Sequence, residues 1–224
     1  MYTTFDLYEE GHSAASRLIH SFTYPWEVLS SIKSFILSLG PTLGDDYIKR
    51  GEDVWIHKTA KVAPTAFIGG PCIIGKDTEV RHCAFIRSSA LVGEGCVIGN
   101  SVELKNVIIS DSVQVPHYNY VGDSILGYKS HMGAGSLTSN VKSDKTLVVI
   151  YDRYSGEKIE TKIKKVGAFL GDWVEVGCNS VLCPGSVIGP HSNIYPLSRV
   201  RGVVPSYSIF KNEGCIVKKE ERNA

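Results

Sequence analysis

The sequence predicts an all-β solenoid in which short strands are joined by tight corners. Branched apolar residues recur at every sixth position through residues 56–104, and the same spacing returns through residues 170–200. In between, the spacing shortens to five at Ile109 and Leu126, and it is interrupted after Thr138. A period of six does not fit an amphipathic helix, which repeats at about 3.6 residues, but it is typical of hexapeptide β-helices.

Two companion positions support the same fold. The residue after each apolar position is often glycine, and the residue four positions after it is usually small. Both suit crowded corners, because glycine tolerates strained backbone. An ordinary β-sandwich would need the spacing to arise by coincidence at 21 positions. We therefore expect coils that stack on one another, with the apolar residue of each repeat pointing inward.

Length, charge and cysteine usage limit the classes of function. A chain of 224 residues can form one sizeable core with an appendage. The net charge of +1 gives no bulk attraction to nucleic acid or to a membrane. No apolar run approaches the roughly 20 residues that span a bilayer, and no secretory signal is visible. None of the six cysteines forms a C-x-x-C pair, which favours a reducing cytoplasm over a disulfide framework.

The repeat divides the chain into segments. Residues 1–50 lack it, and within them residues 25–39 predict a helix with one apolar stripe. We expect this N-terminal segment to form a short helical cap over the open end of the solenoid. The solenoid is expected at residues 51–204, with a lysine-rich insertion at 141–169 that contains a hairpin turn. Residues 205–224 form a C-terminal tail without a clear pattern.

Large cations replace the usual small residue after the apolar position at Arg81, Arg87 and Lys105. In a coil of three hexapeptides, residues 18 apart lie on neighbouring rungs, about 4.8 Å apart. Arg87 and Lys105 are therefore predicted to stack. Like charges at this distance repel unless an anion bridges them, which indicates a phosphate or carboxylate clamp. The alternative is that both side chains extend into solvent or pair with Glu79 or Glu103.

A second departure from the repeat is the stretch at residues 115–123. It places His117, Tyr118, Asn119 and Tyr120 where small residues are expected. Histidine can accept and donate a proton near neutral pH, and its neighbours could hydrogen-bond a hydroxylated ligand. A lone histidine on a strand is more often structural, but its predicted place one coil beyond the cations keeps a catalytic role open.

A third departure is the Gly-Ala-Gly sequence at residues 133–135. Without large side chains, a ligand could approach the backbone there, and Asn140 could hydrogen-bond that ligand. The alternative is a tight corner before the insertion.

Together these stretches resemble a known family. The chain is similar to the left-handed β-helix acetyltransferase half of bifunctional N-acetylglucosamine-1-phosphate uridyltransferase in three ordered segments: NSVELK (100–105), PHYNYVGD (116–123) and GAGSLTSN (133–140). Closer still are stand-alone or fused sugar-phosphate nucleotidyltransferase-like β-helix proteins. The resemblance covers roughly residues 52–204. It implies a left-handed parallel β-helix that forms a homotrimer, with active sites in grooves between neighbouring protomers.

The resemblance also implies transfer of an acetyl group from acetyl-coenzyme A to an amino-sugar 1-phosphate, typically glucosamine 1-phosphate. The implied roles are phosphate binding for Arg87 and Lys105, general base for His117, acceptor binding for Tyr120 and Asn140, and coenzyme contact for Ala134 and Cys178. The implied partners are the sugar phosphate and coenzyme A, with no metal, nucleic acid or membrane.

The sequence departs from the family in several places. No N-terminal glycine-rich nucleotide loop is found, so uridyl transfer is not expected. His131 stands where the main family has asparagine, Val141 where it has tyrosine, and Pro196 where it has a small residue of the coenzyme groove. These changes affect the expected acceptor more than the expected fold.

Two other functions remain open. One is a non-catalytic module that binds a sugar phosphate or a partner subunit. The other is a zinc lyase of the γ-carbonic-anhydrase type, which needs three histidines that converge between subunits. His82, His117 and His131 are available, but the close H-x4-H pair of that family is missing.

Overall fold

The structure, a computed structural model, describes residues 1–220. Its strands form a left-handed parallel β-helix with three faces, as the six-residue period predicts. A nine-stranded sheet forms face 1. A thirteen-stranded sheet bends around a corner and forms faces 2 and 3, because three long strands continue from one face to the other.

The strands are assigned to the faces by their pairing. Face 1 contains β3 (Lys61–Val62), β6 (Glu79–Val80), β8 (Val97–Asn100), β10 (Gln114–His117), β12 (His131–Met132), β17 (Glu175–Val176), β20 (Asn193–Ile194), β23 (Ser208–Asn212) and β24 (Cys215–Lys218). Face 2 contains β4 (Phe67–Ile68), the first halves of β7 (Phe85–Val92), β9 (Glu103–Ile109) and β11 (Tyr120–Leu126), and then β13 (Leu137–Thr138), β18 (Val181–Leu182) and β21 (Arg199–Val200). Face 3 contains β1 (Tyr47–Lys49), β2 (Val54–His57), β5 (Cys72–Ile74), the second halves of β7, β9 and β11, and then β16 (Ala168–Leu170), β19 (Ser186–Ile188) and β22 (Val203–Val204).

The inward apolar positions fill the interior of the solenoid. Every predicted inward residue is buried except Val62 and Ile68, which are half-buried near the N-terminal end. The two five-residue steps leave the stacking intact, because Ile109 pairs with Val92 on one side and with Leu126 on the other. Each coil that contains such a step is one residue shorter, yet its inward side chain still stacks on those of the neighbouring coils.

The helices of the N-terminal segment pack along the side of the solenoid and not over its end. It contains helices α1 (Thr4–Leu7), α2 (Ser16–His20) and α3 (Ile32–Leu39) and the 3-10 helices Pro25–Ser30 and Gly40–Thr42. The single helix expected at residues 25–39 is thus divided at Ser31. Its residues pack on the outside of face 3, where the antiparallel strand β1 ends the ladder beyond β2. The helices therefore do not form the predicted cap over the open end, where strand β1 pairs with β2 instead.

Face 3 needs this cover because its outer surface is apolar. On this face the residue before each inward position is also apolar: Trp55, Ile73, Leu91, Ile108, Ile125, Phe169, Val187 and Val203. These side chains are buried in one cluster with Trp26, Val28 and Ile32 of the N-terminal segment. Full burial of one such side chain stabilises by about 1.5–3 kcal/mol, so the N-terminal segment is an integral part of the fold.

The insertion and the tail add to the surface of the solenoid. The insertion contains an antiparallel hairpin of β14 (Val149–Tyr151) and β15 (Lys158–Glu160), and its residue Ile150 joins the cluster outside face 3. Within the expected tail, β23 pairs in parallel with β20, so the ladder continues past residue 204. Strand β24 then folds back antiparallel to β23. Residues 221–224 of the expected tail lie outside the described residues.

All six cysteines are free. Cys72 and Cys96 occupy buried small-residue positions, and burial raises the pKa of the Cys96 thiol to about 12. In the described part of the chain, residues 1–220, no helix is long and apolar enough to cross a bilayer.

Candidate functional site

The two stacked cations lie on face 2, and each has a carboxylate of its own. The strands that carry them pair with an offset of 18 residues up to Ile86 and of 17 residues from Ser88 onward. Arg87 lies in the β-bulge between these two positions, and Lys105 pairs with Ser88. Arg87 Nη1 donates to Glu103 Oε1 at 3.0 Å, and Lys105 Nζ donates to Asp123 Oδ1 at 3.1 Å. An external anion is therefore not needed to relieve their repulsion. Arg87 thus has the alternative pairing with Glu103, and the phosphate clamp stays a prediction.

Asp123 is the centre of a hydrogen-bonded cluster. Its side chain is 5% exposed, and its carboxylate accepts from Lys105, from Asn106 Nδ2 at 3.0 Å and from Asn140 Nδ2 at 2.6 Å. Asn140 Nδ2 also donates to the Tyr120 hydroxyl oxygen at 3.1 Å. Burial, with added repulsion from nearby carboxylates, raises the pKa of Tyr120, so its hydroxyl keeps its proton at neutral pH. Three of the predicted acceptor residues thus belong to one network.

Asp123 and Asn106 were not among the site residues predicted from the sequence. The signal was present, because Asn106, Asp123 and Asn140 follow one another at intervals of 17, the length of a coil in this region. A polar residue repeated at the coil length predicts a column along one edge of the solenoid.

His117 lies at the corner where face 1 leads to face 2. It ends strand β10, its side chain is exposed, and its carbonyl accepts from the Gly135 N–H at 3.0 Å. No hydrogen bond to its imidazole is present among residues 1–220. Tyr118 projects into solvent at a backbone φ of 52°. Asn119 is buried and donates to the Gly133 carbonyl at 2.8 Å, so it supports the corner and is not available to a ligand.

The two residues expected to contact the coenzyme lie along the same edge as His117. Ala134 follows on the next coil, where its carbonyl accepts from the Asn179 N–H at 2.9 Å. Cys178 lies one coil further, where its carbonyl accepts from the Leu197 N–H at 2.9 Å. Neighbouring rungs rise by about 4.8 Å, so His117, Ala134 and Cys178 form a continuous line.

A groove of about 1220 Å³ runs beside this line on the outside of face 1. Its floor includes Gly133, Gly177 and Cys178, and strand β24 with the residues after it lies along one side. The groove also contains three lysines and two stacked rings: Lys211, Lys218, Lys219, His191 and Tyr207. Cations and aromatic rings on an open apolar floor suit an elongated ligand with phosphate groups. The tail's contribution to the groove was not predicted, because its strands carry no clear six-residue repeat.

His131 lies in the same groove and has a partner. Its Nδ1 is 3.0 Å from Glu175 Oε2 on the next coil. His131 is therefore in hydrogen-bond contact with a carboxylate on the groove wall.

The predicted site residues form two groups that meet at one corner. Lys105, Tyr120 and Asn140 belong to the Asp123 cluster on face 2. Arg87 lies on the same face, paired with Glu103, and the line of His117 borders face 1. Only two corner residues separate the histidine from Tyr120. A ligand bound at this corner could therefore touch both groups.

Within residues 1–220, no three His, Cys, Asp or Glu side chains lie close enough together to hold a metal ion. Of the histidines considered for zinc, His82 Nδ1 lies 2.9 Å from the Thr65 hydroxyl. The His131 ring contacts Glu175. These histidines form no metal group within one chain.

The family model of the GMPPB C-terminal domain matches residues 70–195, more than half of the chain. The chain belongs to this family. The match to the GMPPB C-terminal domain includes the face 2 cluster, the line of His117 and the floor of the groove. It does not extend to the strands after residue 195.

Individual relatives were also found. The bifunctional protein GlmU of Methanococcus vannielii is 31% identical over 217 residues, which cover 87% of this chain and 47% of that protein. A bifunctional sugar-1-phosphate nucleotidylyltransferase/acetyltransferase of Sulfurisphaera tokodaii is 34% identical over 108 residues, which cover 48% of this chain and 26% of that protein. The chain thus spans about half, or less, of these curated relatives. A solved hexapeptide transferase family protein from Anaplasma phagocytophilum has a TM-score of 0.42 and 18% identity, with 75% of this chain and 80% of that chain covered.

Proposed function

We propose that this chain is an acetyl-coenzyme A-dependent N-acetyltransferase that acts on an amino-sugar 1-phosphate such as glucosamine 1-phosphate. One observation carries the proposal. The line of His117, Ala134 and Cys178 connects the groove on face 1 with the polar cluster on face 2. A donor and an acceptor bound in these two places would meet beside an exposed imidazole. The name of the Sulfurisphaera tokodaii relative, which includes acetyltransferase, supports this reaction.

The groove is the proposed donor site. Acetyl-coenzyme A supplies the acetyl group as a thioester. Ala134 and Cys178 would lie against it at the edge, where small side chains leave the backbone accessible. Lys211, Lys218 and Lys219 would attract its phosphate groups. The site thus offers contacts to both ends of an elongated molecule.

The cluster on face 2 is the proposed acceptor site. It contains two cations, Arg87 and Lys105, and two carboxylates, Glu103 and Asp123, so its formal charge is balanced. A balanced site suits a ligand that itself carries both a phosphate and an ammonium group. The phosphate would lie at the cations, and Tyr120 and Asn140 would hydrogen-bond the sugar.

The chemistry requires a free amine and a polarised carbonyl. His117 would remove a proton from the acceptor's ammonium group, and the nitrogen would then attack the thioester carbon. Collapse of the tetrahedral intermediate would break the C–S bond, and the nitrogen would lose its second proton to solvent. The imidazolium of His117 would return its proton to the departing coenzyme A thiolate. Backbone N–H groups at the edge would stabilise the negative charge that develops on the carbonyl oxygen. General-base catalysis increases the rate of such reactions by about 10²–10⁴-fold. Alignment of the two reactants would supply much of the remaining rate enhancement. No cysteine nucleophile is required.

The proposal includes a homotrimer, in which the groove of each protomer is completed by its neighbour, and a cytoplasmic setting, which the six free cysteines support. Sedimentation velocity at several concentrations would test the assembly. The proposal concerns acetyl transfer only and includes no nucleotidyl transfer.

A non-catalytic sugar-phosphate-binding module is the second candidate. It is favoured by the imidazole of His117, which has no hydrogen-bonded partner within residues 1–220 to orient it. The deciding experiment measures thiol release from acetyl-coenzyme A with a panel of amino-sugar phosphates, alongside calorimetric binding of the same compounds. Turnover with any amine acceptor supports the acetyltransferase. Binding without turnover across the panel overturns it in favour of the module.

A further inference from the structure

The corner between faces 2 and 3 carries a polar column in which Asn106 and Asp123 make no proposed contact with the acceptor. Asn106 and Asp123 lie on successive coils with backbone φ values of 53° and 49°. Asn and Asp tolerate this left-handed conformation better than most residues. Asn140 continues the column one coil further. The column lies directly behind the proposed acceptor site.

Asp123 orders side chains that would otherwise be mobile. Lys105 has four rotatable side-chain bonds, yet its ammonium group donates to both oxygens of Asp123, at 3.1 and 3.2 Å. Asn140 is held against the same carboxylate while its amide also reaches Tyr120. A buried carboxylate is tolerated only when it is paired and hydrogen-bonded in this way. The acceptor-binding groups are thus fixed before any ligand arrives.

Asn106 connects this carboxylate to the N-terminal segment. A carboxamide carries two N–H donors. The Nδ2 of Asn106 lies 3.0 Å from Asp123 Oδ1 and 3.3 Å from the carbonyl oxygen of Leu29. Leu29 belongs to the 3-10 helix Pro25–Ser30, which is packed on the outside of face 3. One side chain therefore bridges the docked segment and the acceptor site.

We infer that Asp123 is a positioning residue for the acceptor site, and that Asn106 links the docked N-terminal segment to the Asp123 carboxylate. This inference rests on the proposed function. Asp123 fixes Lys105 and Asn140 for the acceptor and touches no reacting atom. Its loss should weaken acceptor binding and leave the donor site, on another face, unchanged.

Two substitutions and one matched control test this. Asp123→Asn keeps the shape and removes the charge. Asn106→Gly suits the left-handed backbone and removes both hydrogen bonds. Ser89→Gly is the control, because Ser89 has the same conformation one coil below, with a φ of 52°. Asp123→Asn and Asn106→Gly should raise the KM for the acceptor about tenfold, the cost of roughly one lost hydrogen bond, with the KM for acetyl-coenzyme A within about twofold.

Hydrogen exchange separates this inference from the proposed function. In Asn106→Gly, the backbone amides of residues 25–30 should exchange faster than in wild type, whereas Ser89→Gly should leave them unchanged. In Asp123→Asn, the carboxamide protons of Asn140 should exchange about tenfold faster by NMR. If wild type shows no turnover, the proposed function fails while the exchange data still decide the positioning role. Unchanged exchange, or equal increases in the KM of donor and acceptor, overturns the inference.

Discussion

Lys105 Nζ lies 3.1 Å from Oδ1 of Asp123, across one coil of face 2. The carboxylate is almost fully buried, whereas the lysine side chain remains 23% exposed. The pair therefore lies at the boundary between the solenoid and solvent. Its attraction is screened less than that of a surface pair, and the lysine is only partly desolvated.

This geometry predicts the effect of Lys105→Met, which keeps most of the apolar stem and removes the charge. Asp123 would then be a buried carboxylate without a counter-charge. Loss of one partner of a buried pair costs about 3–5 kcal/mol, and we expect about 2–4 kcal/mol here because Lys105 is partly exposed. Urea denaturation at neutral pH measures it. Arg199→Met, which removes an exposed pair with Glu213, is the control, and equal shifts in the two midpoints would contradict the prediction.

His117→Ala tests the proposed general base. We expect kcat to fall by about 10²–10⁴-fold, because the amine would no longer lose its proton to a positioned group. The affinity for acetyl-coenzyme A, measured by calorimetry, should change little. The matched control is His82→Ala, since His82 is an exposed histidine on the same edge two coils away. Equal kcat values for wild type and His117→Ala would remove His117 from the mechanism.

Arg87→Ala tests the proposed phosphate contact. The KM for phosphorylated acceptors should rise by about tenfold or more, the typical effect of losing a charged hydrogen bond. Unphosphorylated amino sugars should be used as before. Arg81→Ala is the control. Arg81 pairs with Glu79 at 3.0 Å, as Arg87 pairs with Glu103 at 3.0 Å, but Arg81 lies on face 1. If both classes of acceptor weaken equally, Arg87 does not bind the phosphate.

The inward core was predictable from the sequence because a period of six fixes which side chain points inward. The packing of the N-terminal segment was not predicted, although its signal exists. Apolar residues such as Ile73 and Leu91 precede the inward position on every third repeat, so only a period of 18 reveals them. A search at the six-residue period alone does not detect this pattern, because only one repeat in three carries the additional apolar residue. The end cap was expected because an outer apolar face had not been recognised.

The cluster on face 2 was predicted in part for a related reason. Arg87 and Lys105 stood out because large cations replaced small residues. Asp123 did not stand out, because an Asp after glycine is common at a corner. Its importance depends on hydrogen bonds from Lys105 and Asn106, which lie one coil away. Contacts between coils join residues about 17 or 18 apart, so they depend on the register of each coil. The five-residue steps at Ile109 and Leu126 set that register here.

Phe169→Ala tests the outer cluster of face 3. The ring is fully buried and lies 6.2 Å from the Trp26 ring of the N-terminal segment. Truncation of a buried phenylalanine costs about 3–5 kcal/mol. The same change at Phe5, which is exposed, should cost less than about 0.5–1 kcal/mol. Thermal unfolding measures both, with limited proteolysis of residues 1–50 as a second readout. Equal costs would show that the segment does not depend on face 3.

The reactivity of the cysteines tests the groove. Cys83 and Cys178 are exposed and should react with a thiol reagent in the native state, whereas Cys72 and Cys96 are buried. Burial also raises the pKa of the Cys96 thiol to about 12, so almost none of it is thiolate near neutral pH and it should react only after unfolding.

Coenzyme A should protect Cys178, which lines the groove, and leave Cys83 reactive. Peptide mapping by mass spectrometry distinguishes them. Equal labelling of Cys178 with and without saturating coenzyme A would mean that the coenzyme does not occupy this groove, because a bound ligand there would cover the thiol.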